Sequence, residues 1–222
     1  MPCPSDRSVD AVVFDLGGVI LANGSPRDFA RHFPDLDPDL VLPLLMGPFH
    51  QDSDHPWHRV ERGEISLDEC RELNREALAL HGVELPRVER DADGTVRGGP
   101  GFTLHEGMVA LVHELRSAGV RLGVLTNNLA EFRGLWWPML PWPELFEVIV
   151  DSHEVGMRKP DPRIYRLTLE RLGMADAPGR VAFVDDLRPN VDAAVGVGMH
   201  GVWVHDHTAV EAMASIRALS GL

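Results

Sequence analysis

Four apolar runs in the C-terminal half each stop at polar residues, and helical patterns separate them. They are Val120–Leu125 before Thr126-Asn127-Asn128, Val148–Val150 before Asp151, Arg180–Val184 before Asp185-Asp186, and Gly201–Val204 before His205. The helical stretches are Glu106–Ala118, with Met108, Leu111, Val112 and Leu115 facing inward, Asp161–Leu172, Pro189–Val197 and Ala209–Leu219. Asp161-Pro162 is an N-cap followed by proline at the first helical position. Strands alternating with helices at this spacing predict an α/β fold with a parallel sheet covered on both faces. Near the start, Ala11–Phe14 is a fifth buried-strand pattern and runs into Asp15-Leu16-Gly17-Gly18. In a parallel sheet the strand ends share one edge, and ligands bind there. Asp15 therefore has two readings, a cap for the following turn or a carboxylate that meets something charged, since burying it alone is costly.

The segment between Ile20 and Gly101 has a different character. Asn23-Gly24-Ser25-Pro26 is a turn cluster, Gly98-Gly99-Pro100-Gly101 is a strong breaker, and both are candidate hinges. Between them the expectation is helices without strands: Arg27–Phe33, Pro38–Met46 around Pro43, and a helix from Ser66 to about His81. Ser66 and Glu69 form a capping box for the last of these, and Leu67, Cys70, Leu73, Ala77 and Leu80 are expected on its inner stripe. Gly82 ends it. Asp91-Ala92-Asp93-Gly94 lacks the further acidic ligands of a calcium loop and reads as a turn. The division expected is a catalytic core of residues 1–22 and 101–222 with a helical cap over 23–100. After the second run, Leu129–Trp137 reads as a helix, and Pro138, Pro141 and Pro143 impose a loop. Trp136, Trp137 and Trp142 suit core or interface packing better than a stacking site.

The chain has 222 residues and a formal charge of −13, which argues against nucleic acid or an anionic membrane as partner. Cys3 and Cys70 lie far apart and form no metal or redox motif, so a reducing compartment is the simplest reading. No leader pattern or apolar run long enough to span a bilayer is seen, and the expectation is a cytoplasmic monomer or homodimer.

Asp15, Thr126-Asn127, Lys159 and Asp185-Asp186 can converge at the sheet edge, and together they make chemical sense. A carboxylate can attack phosphorus, a hydroxyl, an amide and an ammonium can hold phosphoryl oxygens, and adjacent acids suit Mg²⁺. The four clusters Phe14-Asp15-Leu16-Gly17-Gly18-Val19, Leu125-Thr126-Asn127, Arg158-Lys159-Pro160-Asp161-Pro162 and Phe183-Val184-Asp185-Asp186, with Asn190 beyond, resemble the motifs of the haloacid dehalogenase-like hydrolase superfamily in order and spacing. Val155–Pro160 and Glu61-Arg62-Gly63-Glu64-Ile65 are most similar to the branch containing the phosphatase domain of soluble epoxide hydrolase. The resemblance implies a Rossmann-like core with a helical cap inserted after the first motif. It implies Asp15 as nucleophile, Thr126, Asn127 and Lys159 as binders of a phosphorylated small molecule, and Mg²⁺ held by Asp15, the Gly17 carbonyl, Asp186 and Asp185.

One position departs from the family pattern. Phosphatases of the family carry a second Asp two residues after the nucleophile, as general acid and base, where this chain has Gly17. General acid–base help is commonly worth about 10²–10⁴-fold. The sequence leaves open a substrate with a good leaving group, an acid from Asp28, Asp54, His55 or His58 of the insert, or a lost activity. The alternatives to a Mg²⁺-dependent phosphatase are a 2-haloacid dehalogenase, whose chemistry needs no metal, and a binding or regulatory protein on the same scaffold.

Overall fold

Side chains along β1 (Ala11–Phe14) alternate between two buried layers, Val12 and Phe14 in one, Ala11 and Val13 in the other. This follows from its place as the middle strand of a five-stranded sheet. The computed structural model describes residues 7–30, 37–82, 84, 89–92, 96–97 and 101–222. After β1 come the helices α1 (Pro26–Ala30), α2 (Pro38–Met46), α3 (Pro56–Glu61) and α4 (Leu67–Ala79). A two-stranded antiparallel hairpin, β2 (Glu89–Arg90) and β3 (Val96–Arg97), follows. The chain then runs through α5 (Glu106–Ser117), β4 (Arg121–Thr126), α6 (Arg133–Trp136), α7 (Trp142–Leu145), β5 (Val148–Asp151) and α8 (Ser152–Val155). It finishes with α9 (Pro162–Arg171), β6 (Val181–Asp185), α10 (Arg188–Gly196), β7 (His200–Trp203) and α11 (Val210–Ser220).

The sheet order is β5-β4-β1-β6-β7, and every pairing is parallel. One face is covered by α5 and α11 through Met108, Leu111, Leu115, Ala212 and Ile216. The other is covered by α9 and α10 through Ile164, Tyr165, Leu169 and Ala194. This is the Rossmann-like α/β core expected from the alternation. Phe14 is level with Val124 on one side and Val184 on the other, so the next residue of each strand emerges at the same edge. Those residues are Asp15, Leu125 and Asp185. The chain leaves β1 for β4 on one side and returns to β6 on the other, which opens the crevice where ligands sit in such sheets.

The segment between β1 and α5 leaves and re-enters at neighbouring points. Ala22 N–H donates to the Thr103 carbonyl at 2.8 Å, and Thr103 N–H donates to the Asn23 side chain at 2.8 Å. The Asn23 amide also donates to the Gly101 carbonyl. The helices of this segment share small cores, one of Val41, Leu42, Leu45, Met46 and Leu78, and one of Val60, Leu67 and Cys70 closed by Leu129 of the α/β core.

Several sequence expectations are corrected here. The segment is not free of strands, because β2 and β3 pair across residues 91–95. The inner stripe of α4 is Leu67, Cys70, Asn74 and Leu78, whereas Leu73 and Leu80 are 48% and 86% exposed. Asn74 is tolerated inside because its amide reaches the Cys70 sulfur at 3.6 Å. The proline-rich stretch after Trp137 is not a plain loop. Pro143 lies in the first turn of α7, where no N–H is required. Trp136 and Trp142 are both fully buried and meet edge to face at 5.1 Å, a packing role. The end of the Arg27–Phe33 helix, half of the Asp91–Gly94 turn and residues 98–100 of the second candidate hinge lie outside the described residues. Among the described residues no helix is long and apolar enough to cross a membrane.

Candidate active site

β1 delivers Asp15 to the sheet edge. Its N–H is held by the Val184 carbonyl at 2.9 Å, and its carboxylate accepts from Leu16 N–H at 2.7 Å. β6 delivers Asp185, fully buried, and the turn after it delivers Asp186. A carboxylate oxygen from each of Asp15, Asp185 and Asp186 can be chosen so that all three lie within 4.8 Å of one another. Three carboxylates this close repel strongly unless cations are present.

One cation is supplied by the loop before α9. The Lys159 ammonium, 1% exposed, lies 2.8 Å from Asp15 Oδ1 and 2.6 Å from Asp185 Oδ2. Burial alone would push the lysine down, but the carboxylates of Asp15 and Asp185 more than reverse this and hold it above its ordinary value. Burial pushes Asp15 up and Lys159 pulls it back. Asp186 is raised well above the usual carboxylate range by burial and by its two acidic neighbours, with less relief from Lys159. With all three acids ionised the site would hold more negative charge than its one ammonium balances, and burial together with this excess pushes Asp15 and Asp186 up. All three donors are hard oxygens, the set that Mg²⁺ prefers, so the residues fit such an ion.

The supporting groups are held in turn. Asn190 donates to both Asp185 oxygens at 3.1 Å, and Leu187 N–H donates to Asp185 at 2.8 Å. Thr126, 2% exposed, ends β4 and lines the same cavity. Asn127 lines it too, with its amide committed to the backbone of Lys159. It accepts from Lys159 N–H at 2.8 Å and donates to the Lys159 carbonyl at 2.9 Å. Asn127 therefore positions the lysine. The Lys159–Pro160 peptide is cis.

Gly17 lines the cavity, and the structure shows why it carries no side chain. A Cβ there would lie 2.7 Å from the carbonyl oxygen of Gly24. The turn at Asn23–Pro26 thus occupies the place where an acidic side chain would begin. Gly18 has φ +71°, and a Cβ on it would meet the Asp186 carboxylate at 2.6 Å. The second glycine permits both the turn and the close approach of that carboxylate.

Of the four insert residues considered as substitute acids, Asp28 alone lines the cavity. Its carboxylate accepts from the Ser25 hydroxyl at 2.9 Å. His58 is buried away from the cavity and pushed down to about 3 by burial and nearby Arg158. His55 is spent on the Leu44 carbonyl and Trp57 N–H, and Asp54 is exposed. Sequence reasoning did not single out Glu61 and Arg158 as a pair. Both line the cavity, and the Arg158 Nε–H donates to Glu61 at 2.6 Å, joining α3 to the loop that carries Lys159. Their positions inside two of the quoted motifs were the only signal available.

A family model for haloacid dehalogenase-like hydrolases matches residues 9–198. Sesquiterpene phosphatase astK of Aspergillus oryzae is 31% identical over 90% of this chain and 91% of its own length. Bifunctional epoxide hydrolase 2 of Rattus norvegicus is 27% identical over 87% of this chain, which spans 36% of that protein. Among solved structures, a HAD-like family hydrolase from Porphyromonas gingivalis superposes with a TM-score of 0.63 at 21% identity, covering 94% of this chain and 98% of that one. A HAD family enzyme from Bacteroides thetaiotaomicron, in complex with magnesium and inorganic phosphate, superposes with a TM-score of 0.56 at 20% identity, covering 86% and 92%. These last two likenesses concern the fold. With the motif residues gathered at one sheet edge and the family model spanning most of the sequence, the chain belongs to the haloacid dehalogenase-like hydrolases.

Proposed function

We propose that the chain hydrolyses small-molecule phosphate monoesters with Mg²⁺, through a phosphorylated Asp15. The observation that carries this is the cluster of Asp15, Asp185 and Asp186, with Lys159 bridging the first two and with Asp15, Asp186 and Lys159 lining a cavity, a site with hard ligands and one ammonium. An Asp15 oxygen attacks phosphorus and the bond from phosphorus to the leaving oxygen breaks. The leaving alkoxide takes a proton from water, since position 17 offers none. A second water then attacks phosphorus, releasing inorganic phosphate and restoring the Asp15 carboxylate. Lys159 holds the phosphoryl oxygens as their charge grows, and the Thr126 hydroxyl adds a hydrogen bond. Asp15, Asp186, Asp185 and the Gly17 carbonyl would hold Mg²⁺, which offsets the repulsion between a phosphate dianion and the carboxylates. The helices α1 to α4 would act as the cap, limiting bulk solvent at the reacting groups to the waters the two steps use.

Phosphatases among the curated relatives support this reading. Solved structures of dehalogenases share the fold, and that activity is the competing one. Its carboxylate substrate would have to approach three acids with one lysine among them, which disfavours it. The test is release of product from p-nitrophenyl phosphate and acetyl phosphate with Mg²⁺ or EDTA. Turnover with Mg²⁺, none with EDTA, and a loss of at least about 10³-fold in Asp15→Asn are expected. Chloride release from 2-chloropropionate that EDTA leaves unchanged would overturn the phosphatase reading.

A further inference from the structure

The second half of the proposed reaction calls for a base. A water that attacks phosphorylated Asp15 has to lose a proton, and a positioned base is commonly worth about 10²–10⁴-fold in such a step. Position 17 has no side chain to supply one. Among the described residues the ionisable side chains lining the cavity are Asp15, Asp28, Glu61, Arg158, Lys159 and Asp186, with no histidine. Asp15 is the nucleophile of that reaction and Asp186 one of its Mg²⁺ ligands, while Arg158 and Lys159 are cations. Both Glu61 oxygens are taken, one by the indole N–H of Trp57 at 2.9 Å and the other by Arg158 at 2.6 Å. Asp28 is the carboxylate that remains.

Its place is set by the same turn that keeps a side chain out of position 17. A Cβ on Gly17 would lie 2.7 Å from the Gly24 carbonyl oxygen and 3.8 Å from Ser25 N. Ser25 N–H donates to Asp28 Oδ2 at 3.2 Å, and the Ser25 hydroxyl donates to the same oxygen at 2.9 Å. Asp28 N–H donates back to the Ser25 hydroxyl at 3.3 Å, which completes a capping box at the start of α1. The carboxylate is therefore one hydrogen bond beyond the backbone that faces position 17. The turn itself is fixed to the core. Asn23 is bonded to Gly101 and Thr103, and Gly24 packs so closely on Phe102 that a Cβ there would come within 3.0 Å of the ring. Capping fixes the Asp28 carboxylate, and the anchored turn places it in the cavity beside Gly17. A carboxylate held as an acceptor suits a base. It does not suit the acid of the first step, in which the leaving alkoxide takes its proton from water.

We infer that Asp28 is the base for hydrolysis of phosphorylated Asp15. The inference rests on the phosphatase reading and assigns its second step. The water oxygen bonds to phosphorus as the bond from phosphorus to Asp15 breaks, and the water proton passes to the Asp28 carboxylate. Inorganic phosphate leaves, and Asp28 returns the proton to solvent, replacing the one that the alkoxide took. The test is a rapid-quench pulse and chase with Mg²⁺ and radiolabelled acetyl phosphate, which reads formation and breakdown of phosphorylated Asp15 separately. Asp28→Asn keeps the side-chain length and an oxygen that can accept from Ser25. It should form phosphorylated Asp15 at close to the wild-type rate and break it down at least about 10²-fold more slowly, so that the phosphorylated chain accumulates. On the wild-type chain, breakdown should be slower in heavy water than in ordinary water. Breakdown at the wild-type rate in Asp28→Asn, or formation and breakdown slowed together as a damaged cap would slow them, overturns the inference and leaves the phosphatase reading standing. Equal wild-type breakdown in the two solvents overturns it without any variant. No phosphorylated Asp15 in the wild-type chain overturns the phosphatase reading, and the inference falls with it.

Discussion

Replacing Lys159 with methionine is expected to destabilise the chain by about 3–5 kcal/mol near neutral pH, the usual result of removing one partner from a buried ion pair. The side chain is 1% exposed and bridges Asp15 and Asp185 at 2.8 and 2.6 Å. Methionine fills the volume but leaves the acidic cluster without its ammonium. The stranded carboxylates can escape the penalty by taking up protons, which raises their pKa in the folded variant above the unfolded value. A group shifted in that direction loses stability as pH rises. The deficit relative to wild type should therefore be larger near pH 8 than near pH 5. Urea unfolding at the two pH values measures it. Under conditions where the variant is folded, turnover should fall by about 10²–10³-fold, as when a charge-stabilising donor is removed. A variant as stable as wild type at both pH values would show that the lysine is solvated and not shared between the acids.

The second large effect concerns Gly17. From the sequence alone, Gly17→Asp looks like a repair, because it restores the acid found in related phosphatases. The structure predicts damage instead. A Cβ at position 17 meets the Gly24 carbonyl at 2.7 Å, and that neighbour is backbone which cannot rotate away. Overpacking of this kind typically costs about 1–3 kcal/mol. Displacing the Asn23–Pro26 turn would also shift Ser25 and Asp28, which line the cavity. The expected outcome is that Gly17→Asp lowers the turnover of p-nitrophenyl phosphate and of an alkyl phosphate together. Gly17→Ala, which brings the same Cβ without the acid, should share most of the loss. If alkyl phosphate turnover rises in Gly17→Asp while p-nitrophenyl phosphate is unchanged, the Asn23–Pro26 turn yields and the missing acid is what limits turnover.

These two positions also show what could be read before the fold was seen. Asp15, Thr126, Lys159 and the Asp185-Asp186 pair were legible because each follows a buried strand or opens a helix, and a parallel sheet brings such ends to one edge. The sheet was legible for the same reason, since runs of two-sided burial leave a strong pattern. The insert was not. In α4 the apolar spacing of Leu73, Ala77 and Leu80 suggested an inner stripe, yet Leu73 and Leu80 face out and Asn74 faces in. Short helices such as α3, opened by Pro56 in a histidine-rich stretch, carry too few turns to show a period. The pair Glu61–Arg158 spans 97 positions, and the Gly24 carbonyl above Gly17 is a backbone atom. Neither leaves a trace in local spacing. Asn127 was expected to bind the ligand; it lines the cavity, and its amide holds the backbone of Lys159. Residue type marked the site there without revealing which partner the side chain takes.

Phosphorylation of Asp15 can be read out on the protein itself. The chain is mixed with Mg²⁺ and acetyl phosphate, quenched in acid within a turnover, digested and analysed by mass spectrometry. The expected result is a peptide containing Asp15 that is heavier by one phosphoryl group and labile to hydroxylamine, with no such peptide when EDTA is present or when Asp15 is replaced by asparagine. Turnover that proceeds in the Asp15→Asn variant, or a phosphoryl group found on another residue of the wild-type chain, would contradict it.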